Sequence, residues 1–294
     1  MRNFARVAII GSTGQLGNDL LEAFSDREVI ALAHEDLCIE NAAQVEDVIA
    51  SSRPSLVLNT AAYHNVPKCE TEQEQALRIN ALGVQNVAQA CAKRNIAFGT
   101  ISTDYVFDGA KGSPYTEQDQ PHPLSVYGIS KLAGEMLAAA IVPGHFIFRT
   151  SGLFGKLGSK SKGYTFIDRV LQQAAAGEPI SVVDDMWFSP SYTRHVAQWI
   201  RKIVDRAPFG IYHVTNSGSC SWHEFAVEAI ATAGLSAHVR AISSADFASP
   251  VRRPRNSALG HAALLAAGIE DLPHWKAAVA EYLKERTFSR TPLS

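Results

Sequence analysis

Hydrophobic and polar positions alternate in a regular order through the first half of the chain. Short apolar runs rich in β-branched residues predict strands, and longer segments with apolar residues at helical spacing separate them. The predicted strands are Arg6–Ile10, Glu28–Leu32, Ser55–Asn59, Ile96–Ile101 and His145–Arg149. The predicted helices are Gly14–Phe24, Asn41–Ser51, Glu72–Arg94, Ser125–Ile141 and, further on, Thr193–Asp205 and Ser221–Ala233. Regular strand–helix alternation predicts an α/β protein with a doubly wound parallel sheet of the Rossmann type.

The pattern loosens after Arg149. We expect residues 1–150 to form an NAD(P)-binding domain, to which the chain returns around residues 190–212. Residues 151–189 and 213–294 are expected to form a smaller C-terminal lobe that binds the substrate.

Charge and hydropathy exclude several classes of partner. The 294 residues include 27 basic and 29 acidic side chains, which give a formal net charge of −2. This balance offers no basic surface for nucleic acid or for an anionic membrane. The apolar run Val7–Ile10 is too short for a signal peptide, and no later run approaches the ~20 apolar residues of a membrane span. We therefore expect a cytoplasmic protein.

Cysteine and histidine positions do not favour a metal site. The cysteines form no C-x-x-C pair, and the histidines form no H-x-x-x-H pattern. Small buried thiols are the expected state of the cysteines. The predicted site accordingly contains no metal ligand.

Three glycines lie between the first predicted strand and the first predicted helix. Gly11, Gly14 and Gly17 have the spacing G-x-x-G-x-x-G. A tight turn there needs glycine, because a side chain would keep the backbone away from a pyrophosphate, and the following helix offers the anion its free N–H groups. Turn-forming glycines without a ligand are the alternative, but the strand–helix context favours a nucleotide. The expected contacts are Gly11, Thr13, Gly14, Gln15, Leu16 and Gly17.

The end of the second predicted strand bears on the choice of cofactor. Sites that prefer NAD often have a carboxylate there, which binds the ribose 2′-hydroxyl and repels a 2′-phosphate. Ala33 has no carboxylate, and His34 is either a phosphate contact or a solvated loop residue. This favours NADPH and leaves NADH open. Ala61, Ala62 and Tyr63 follow the third predicted strand and are expected to contact the cofactor across the sheet edge.

Tyr127 and Lys131 are spaced for catalysis within one predicted helix. Residues i and i+4 share a helix face, so the phenol and the ammonium can meet at one site. A cation beside a tyrosine lowers the phenol pKa from ~10 and makes it a usable acid–base near neutral pH. Thr103, after the fourth predicted strand, can hydrogen-bond the same substrate oxygen. A surface tyrosine beside a solvated lysine is the chance alternative, which the order of the preceding motifs disfavours.

These motifs resemble those of extended short-chain dehydrogenases, and most closely those of the dTDP-4-dehydrorhamnose reductase family. The segments that carry the resemblance are Gly11–Gly17, Asn59–Tyr63, Ser102–Gly109 (STDYVFDG), Tyr127–Glu135 (YGISKLAGE), Arg149–Ser151, Val182–Asp185, Ser189–Thr193 (SPSYT) and Arg252–Ser257 (RRPRNS). They extend over nearly the whole chain. STDYVFDG and RRPRNS are much more specific than the fold itself.

The resemblance implies hydride transfer from NADPH or NADH to C4 of a nucleotide-linked 4-keto-6-deoxysugar. Tyr127 would protonate the carbonyl oxygen, Lys131 would hold the nicotinamide ribose and tune Tyr127, and Thr103 would orient the carbonyl. Asp104 would hydrogen-bond the sugar, and Arg253 is the expected partner of the nucleotide diphosphate. Members of this family can dimerise, which leaves a homodimer open.

The chain departs from the family pattern at positions expected in the site. Near the adenine, the pattern Leu-Asp-Ile reads Leu-Cys-Ile here, and Cys38 and Ile39 are expected cofactor contacts, as is Ser102. After Arg-Thr-Ser, the family usually has an aromatic residue that packs on the sugar, whereas this chain has Gly152. We expect Gly152 to line the sugar site and to leave a gap in it, which Leu153, Phe154, Tyr164 or Trp187 could fill.

Two other functions remain open. A sugar-nucleotide epimerase shares the fold and the tyrosine–lysine pair, but it regenerates its NAD, whereas a reductase consumes NAD(P)H. A non-catalytic regulatory subunit is the second alternative, because the regulatory subunit of methionine adenosyltransferase resembles the same family. The presence of Thr103, Tyr127 and Lys131 argues against a subunit without catalysis.

Overall fold

The computed structural model describes residues 2–158, 163–246, 249 and 251–286. The strands are β1 Arg6–Ile10, β2 Glu28–Leu32, β3 Leu56–Asn59, β4 Ala97–Thr103, β5 His145–Thr150, β6 Leu153–Phe154, β7 Ile180–Val183, β8 Trp187–Phe188, β9 Ser191–Tyr192, β10 Gly210–His213, β11 Cys220–Ser221 and β12 Val239–Ile242.

The helices follow the same chain order. They are α1 Gln15–Ala23, α2 Ala42–Ser52, α3 Val66–Thr71, α4 Gln73–Leu77, α5 Val84–Ala92, α6 Val126–Ile141, α7 Phe166–Ala176, α8 Thr193–Arg206, α9 Trp222–Thr232, α10 Ala262–Ala266 and α11 Trp275–Glu285. A π-helix, Arg78–Gly83, joins α4 to α5, and a 3₁₀-helix, Asp104–Val106, follows β4. Within the described residues, no helix is long and apolar enough to cross a membrane.

The central sheet has the strand order β10-β5-β4-β3-β1-β2, and its pairings are parallel. A parallel sheet needs helices on both faces, because both faces are apolar. Helices α1 and α8 cover one face through a cluster that includes Leu20, Phe24 and Ile200. Helices α2, α5 and α6 cover the other through a cluster that includes Ile49 and Val87. The predicted doubly wound α/β fold is confirmed.

The second half of the chain returns to this sheet once. Helix α8 packs on α1, and β10 pairs with β5 from Gly210 opposite Phe146 to His213 opposite Arg149. The return adds the sixth strand of the sheet within the described residues.

A third apolar cluster lies outside the sheet. It joins α7, α9 and α11 through side chains such as Leu171, Phe225 and Tyr282. Thr165 and Ser221 begin α7 and α9 with capping boxes, in which the cap hydroxyl and the third residue's carboxylate satisfy free N–H groups reciprocally. The loosened sequence pattern after Arg149 did not predict α7, α11 or the short strands of this region.

The helix predicted at Glu72–Arg94 is not continuous. The π-helix Arg78–Gly83 interrupts it, and Asn80 in that segment is fully buried. A π-helix widens one turn and re-aims the side chains on it, and such segments often occur at functional sites. Here the widened turn brings Asn80 to α6, where Asn80 Nδ2 donates to Ser130 Oγ at 3.0 Å.

Candidate active site

The glycine loop after β1 is shaped by close backbone approaches. Gly11 has a φ of +77°, and a Cβ there would lie 2.6 Å from Thr60 Oγ1. A Cβ at Gly17 would lie 2.2 Å from the carbonyl oxygen of Gly11, so α1 packs directly on the loop. Both positions require glycine, as expected from the spacing.

The N-terminus of α1 fits an anionic group. Gly14 is its N-cap residue, no side chain caps the helix, and its first turn has no acidic residue. The free N–H groups and the positive end of the helix dipole therefore remain available to a pyrophosphate. Leu16 is buried beneath the loop, whereas Thr13 is exposed above it.

Buried polar atoms line the carboxyl edge of the sheet beside this loop. Gln15 Nε2, Asn59 Nδ2 and Ser102 Oγ are buried and have no hydrogen-bond partner among the described residues. Buried polar groups are rarely left unpaired in proteins, so these atoms mark a place where a polar ligand can bind. Together with the glycine loop, this edge fits a dinucleotide.

The end of β2 lies against the glycine loop. The N–H groups of Gly11 and Ser12 donate to the carbonyl oxygen of Leu32, at 2.8 and 3.2 Å. His34 is exposed at this end, and the carboxylate of Asp36 accepts a hydrogen bond from the N–H of Ala33 at 2.9 Å. The strand end therefore presents His34 beside the exposed carboxylate of Glu35, and the Asp36 carboxylate binds the backbone.

The two residues expected near the adenine differ in their surroundings. Cys38 is partly exposed, and its N–H donates to Gln44 Oε1 at 3.0 Å. Ile39 is 4% exposed and lies under the π-helix, where a Cβ at Gly83 would be 2.7 Å from its Cγ1. The side chain of Ile39 therefore belongs to the core, and that of Cys38 keeps some exposed surface.

The loop after β3 is fixed by the π-helix. Tyr63 donates its N–H to Asn80 Oδ1 at 2.8 Å and accepts from Asn80 Nδ2 at 2.9 Å. The Tyr63 hydroxyl donates to Glu72, which raises the pKa of the phenol to about 12. Ala61 and Ala62 precede it and are partly exposed at the sheet edge. Asn80 therefore links this expected cofactor loop to α6.

Asp104 lies at the end of β4 in a ring of hydroxyl groups. Thr103 Oγ1 donates to Asp104 Oδ1 at 3.0 Å, and Asp104 Oδ2 accepts from Ser151 at 2.8 Å and from Ser257 at 2.5 Å. Burial raises the Asp104 pKa to about 6, although the three hydroxyls oppose the rise. This carboxylate joins β4, the end of β5 and the segment Arg252–Ser257.

Tyr127 is set in place by the start of α6. Ser125 caps the helix and accepts from the N–H of Gly128 at 3.2 Å. A Cβ at Gly128 would lie 2.3 Å from the carbonyl oxygen of Tyr105, so only glycine lets α6 approach the 3₁₀-helix after β4 this closely. The Tyr105 ring then meets the Tyr127 ring edge-on, with their centroids 5.9 Å apart. The glycine of the YGISK motif thus positions Tyr127, the tyrosine that the sequence predicts to be catalytic.

The pKa of Tyr127 is raised, and the predicted lowering by Lys131 is wrong for this structure. Burial of the phenol is the largest cause, and the Asp104 carboxylate adds to it, while a hydrogen bond with Thr103 acts in the opposite direction. Burial disfavours the phenolate more strongly than any neighbouring charge favours it. Tyr127 is therefore a neutral phenol at physiological pH.

Lys131 is buried on the same helix, with 4% of its surface exposed. Burial lowers its pKa to about 8, and the carboxylate of Glu135, one turn further on, acts against that change. Glu135 itself pairs with Arg149 at 2.7 Å. Breaking such a buried pair on one side typically costs about 3–5 kcal/mol of stability.

The gap predicted at Gly152 is absent. Gly152 has a φ of +49°, and a Cβ there would lie 2.3 Å from Phe188 Cε2. Phe188 is 2% exposed and stacks on the Trp222 ring, with centroids 3.9 Å apart and planes at 13°. Phe188 fills this space. The sequence pattern did not predict that residue for this position.

Arg253 is close enough to Tyr105 to act on its titration. Burial raises the pKa of Tyr105 to about 12, and the guanidinium charge of Arg253 opposes that rise. The Tyr105 ring is the one that contacts Tyr127. The loop of Ser102–Gly109 meets this segment closely, since a Cβ at Gly109 would lie 2.6 Å from the N–H nitrogen of Arg255. The STDYVFDG and RRPRNS motifs are thus neighbours in space.

Several site residues were missed from the sequence. Ser151 and Ser257 bind the Asp104 carboxylate, Asn80 bridges α6 to the cofactor loop, and Glu70 accepts from the N–H of Val126 at 2.8 Å at the start of α6. The two serines lie in the motifs Arg149–Ser151 and Arg252–Ser257, which could have indicated that they belong to the site. No sequence motif indicated Asn80 or Glu70.

Known proteins resemble this chain over most of its length. The sequence model of a family described as the RmlD substrate binding domain matches residues 5–288. The dTDP-4-dehydrorhamnose reductase of Aggregatibacter actinomycetemcomitans is 37% identical over 270 residues, which cover 87% of this chain and 90% of that protein. The chain belongs to the dTDP-4-dehydrorhamnose reductase family. The predicted resemblance is confirmed.

Two other proteins match this chain over a larger share of its length. The spore coat polysaccharide biosynthesis protein SpsK of Bacillus subtilis (strain 168) is 36% identical over 284 residues, 96% of this chain and 98% of that protein. The crystal structure of the Bacillus anthracis dTDP-4-dehydrorhamnose reductase in complex with NADP has a TM-score of 0.92 and 35% identity, and covers 97% of this chain and 100% of its own. That family member holds NADP.

Metal-binding side chains are not clustered in the part of the chain that the structure describes. No group of three or more histidine, cysteine, aspartate or glutamate side chains is placed there to hold an ion.

Proposed function

We propose that this protein is an NADPH-dependent reductase of a nucleotide-linked 4-keto-6-deoxysugar, with dTDP-4-dehydrorhamnose as its substrate. The observation that carries the proposal is the meeting of Thr103 and Tyr127 beside a glycine loop that fits a dinucleotide. Relatives more than 30% identical over most of their length are dTDP-4-dehydrorhamnose reductases, and one of them is solved with NADP.

The glycine loop, the N-terminus of α1 and the edge carrying Ser102 would hold the cofactor, with His34 at the adenosine end. When bound, NADPH supplies the hydride that reduces the sugar carbonyl. Lys131 would bind the nicotinamide ribose through its ammonium. Cys38 and the loop Ala61–Tyr63 complete the proposed cofactor contacts.

Tyr127 would act as the proton donor. Its raised pKa keeps the hydroxyl protonated at neutral pH, which is the state that a reduction needs at the moment the carbonyl oxygen becomes an alkoxide. Thr103 would donate its hydroxyl proton to the same oxygen, in place of the bond that it donates to Asp104 Oδ1 here. Asp104 and Arg253 would bind the sugar and the nucleotide diphosphate.

The alternatives are less well supported. UDP-glucose 4-epimerases share the fold, with a TM-score of 0.83 for the Thermotoga maritima enzyme, but at 16% identity this likeness concerns the fold alone. A regulatory subunit would have no need of the arrangement of Thr103, Tyr127 and Lys131. An assay of turnover distinguishes the reductase, the epimerase and the regulatory subunit from one another.

The test is an assay of purified protein with a panel of dTDP- and UDP-linked 4-keto sugars, with NADPH and with NADH. Stoichiometric oxidation of NADPH with dTDP-4-dehydrorhamnose supports the proposal. Interconversion of sugars without net NAD(P)H consumption identifies an epimerase, and binding without turnover favours the regulatory role.

We also propose that residues 1–150, with the return at 190–212, bind the cofactor, and that residues 151–189 and 213–294 bind the sugar nucleotide. A cytoplasmic homodimer is the proposed working form. Light scattering after size exclusion gives the oligomeric state, and fractionation of cells gives the compartment.

A further inference from the structure

A buried ion pair lies one helical turn beyond the proposed cofactor lysine. Arg149, from β5, donates from Nε to Glu135 Oε1 at 2.9 Å and from Nη2 to Oε2 at 2.7 Å. Arg149 is 1% exposed and Glu135 is 3% exposed. The planar guanidinium therefore occupies both oxygens of the carboxylate, which a single ammonium cannot do.

Lys131 precedes Glu135 by four residues, so the two side chains lie on one face of α6. Lys131 is 4% exposed, yet the described residues include no carboxylate within the 4.0 Å ion-pair distance of its Nζ. A buried ammonium beside an unengaged carboxylate would pair with it. Arg149 prevents this, and the three side chains together retain one positive charge, which resides on Lys131.

Arg149 is itself held rigidly. Its backbone lies in β5 between Ser102 of β4 and His213 of β10. Its guanidinium carbon lies 5.1 Å from the centroid of the Phe107 ring. These contacts fix where the guanidinium meets Glu135 and so hold the carboxylate against Arg149.

We propose that Arg149 is a positioning residue, which occupies Glu135 so that the ammonium of Lys131 stays free for the cofactor ribose and for Tyr127. This inference rests on the proposed reductase function. It explains why a buried arginine stands at the end of β5 beneath the site. It also assigns a task to the last residue of the YGISKLAGE motif.

The test compares Arg149→Met with the double variant Arg149→Met/Glu135→Gln. The single variant releases Glu135, which captures Lys131, so we expect kcat to fall at least ~10-fold and the Kd for NADPH to rise. The double variant removes both charges and frees Lys131 again, so kcat and Kd should return to within about 3-fold of the wild type. Arg27→Met is the matched control, because it breaks a 2.6 Å pair with Asp205 far from Lys131.

Each outcome is informative. A double variant as impaired as Arg149→Met overturns the proposal, and so does an Arg149→Met enzyme with normal kcat and normal NADPH affinity per folded molecule. If Arg149→Met does not fold, Arg149→Lys replaces it. That variant binds one oxygen only, so an intermediate loss that Glu135→Gln reverses is expected, and no loss contradicts the idea. If the wild type shows no turnover and the proposed function is wrong, the affinity of the variants for NADPH, measured by fluorescence, still decides whether Arg149 positions Lys131.

Discussion

The ring of Phe188 occupies the position from which a side chain at Gly152 would start, with Cε2 2.3 Å from the Cβ that residue 152 lacks. The aromatic residue that other family members place after Arg-Thr-Ser therefore has no room here. The space beside Gly152 is filled by a ring from β8, and that ring is itself buried. An aromatic stack between Phe188 and Trp222 supports that ring from behind.

Gly152→Trp should consequently be harmful. The substitution adds a large ring at a φ of +49° and drives it into Phe188, and overpacking of this kind typically costs about 1–3 kcal/mol. We expect a lower Tm and a higher KM for the sugar nucleotide. Gly152→Trp/Phe188→Gly should recover part of both. Unchanged Tm and KM in the single variant would show that residue 152 does not border the pocket.

Removal of the Tyr127 hydroxyl should separate binding from chemistry. Tyr127→Phe keeps the ring and its edge-on contact with Tyr105, so the fold and the affinity for NADPH should survive. Loss of a general acid should lower kcat by ~10²–10⁴-fold. Tyr212→Phe is the control, because its hydroxyl binds the carbonyl oxygen of Pro208 away from the site. Turnover at the control's level in Tyr127→Phe would refute the assignment.

The Asp104 carboxyl should make stability depend on pH. Its pKa rises from 3.8 to about 6 on folding, so the protonated form is the one that the fold favours. That stabilisation is complete below the unfolded pKa and is lost as the pH rises through the folded pKa. Relative to Asp104→Asn, the wild type should lose ~1–3 kcal/mol between pH 4 and about pH 6. Parallel urea-unfolding curves across that range would contradict this.

The glycine loop offers a test of cofactor binding with an internal control. Gly11→Ala places a methyl group 2.6 Å from Thr60 Oγ1 and strains a left-handed residue. Gly112 has a similar φ of +74°, but nothing lies within 4 Å of its Cβ position. Both alanine variants bear the same backbone strain, so Gly11→Ala alone should weaken NADPH binding, by ~10-fold or more. Equal Kd values for NADPH in the two variants, measured by fluorescence titration, would show that this loop does not contact the cofactor.

His34 should contribute to the preference for NADPH. A carboxylate introduced as His34→Asp would lie at the exposed position directly after Ala33, where this chain has a histidine. Repulsion of the 2′-phosphate should shift the ratio of kcat/KM for NADPH over NADH by about 10-fold or more toward NADH. His238→Asp, which makes the same charge change at an exposed site in the other lobe, should leave the ratio unaltered.

The first half of the fold could be predicted because its periodicity is local. The runs that form β1, β3, β4 and β5 are mostly buried strands, and β2 is a partly exposed edge strand. Helix α6 begins at its own serine cap. Strands β6, β8, β9 and β11 have two residues each, and distant partners define them. Trp187, for example, donates its N–H to the carbonyl oxygen of Arg255 at 2.7 Å. A strand of two residues is too short to show an alternation of apolar and polar positions, so the local sequence pattern cannot predict it.

The same distinction applies to the site. Thr103, Tyr127 and Lys131 follow from motif spacing, because a strand end and one helix face place them. The partners of Asp104 come from Ser151 and Ser257, and folding alone brings these together. The direction of the Tyr127 pKa shift also needed the structure, because burial of the phenol is its largest cause.

The return of α8 and β10 to the sheet bears on how the chain is made. During synthesis at ~5–20 residues per second, the strand β5 emerges long before its neighbour β10. Until residue 213 has left the ribosome, the buried edge of Phe146 and Phe148 is unpaired, and α1 lacks its partner α8. An unpaired apolar edge invites wrong pairings. We therefore expect that residues 1–150, which we propose to bind the cofactor, do not mature ahead of the rest, and that a fragment that stops at residue 150 binds chaperones or aggregates instead of binding NADPH.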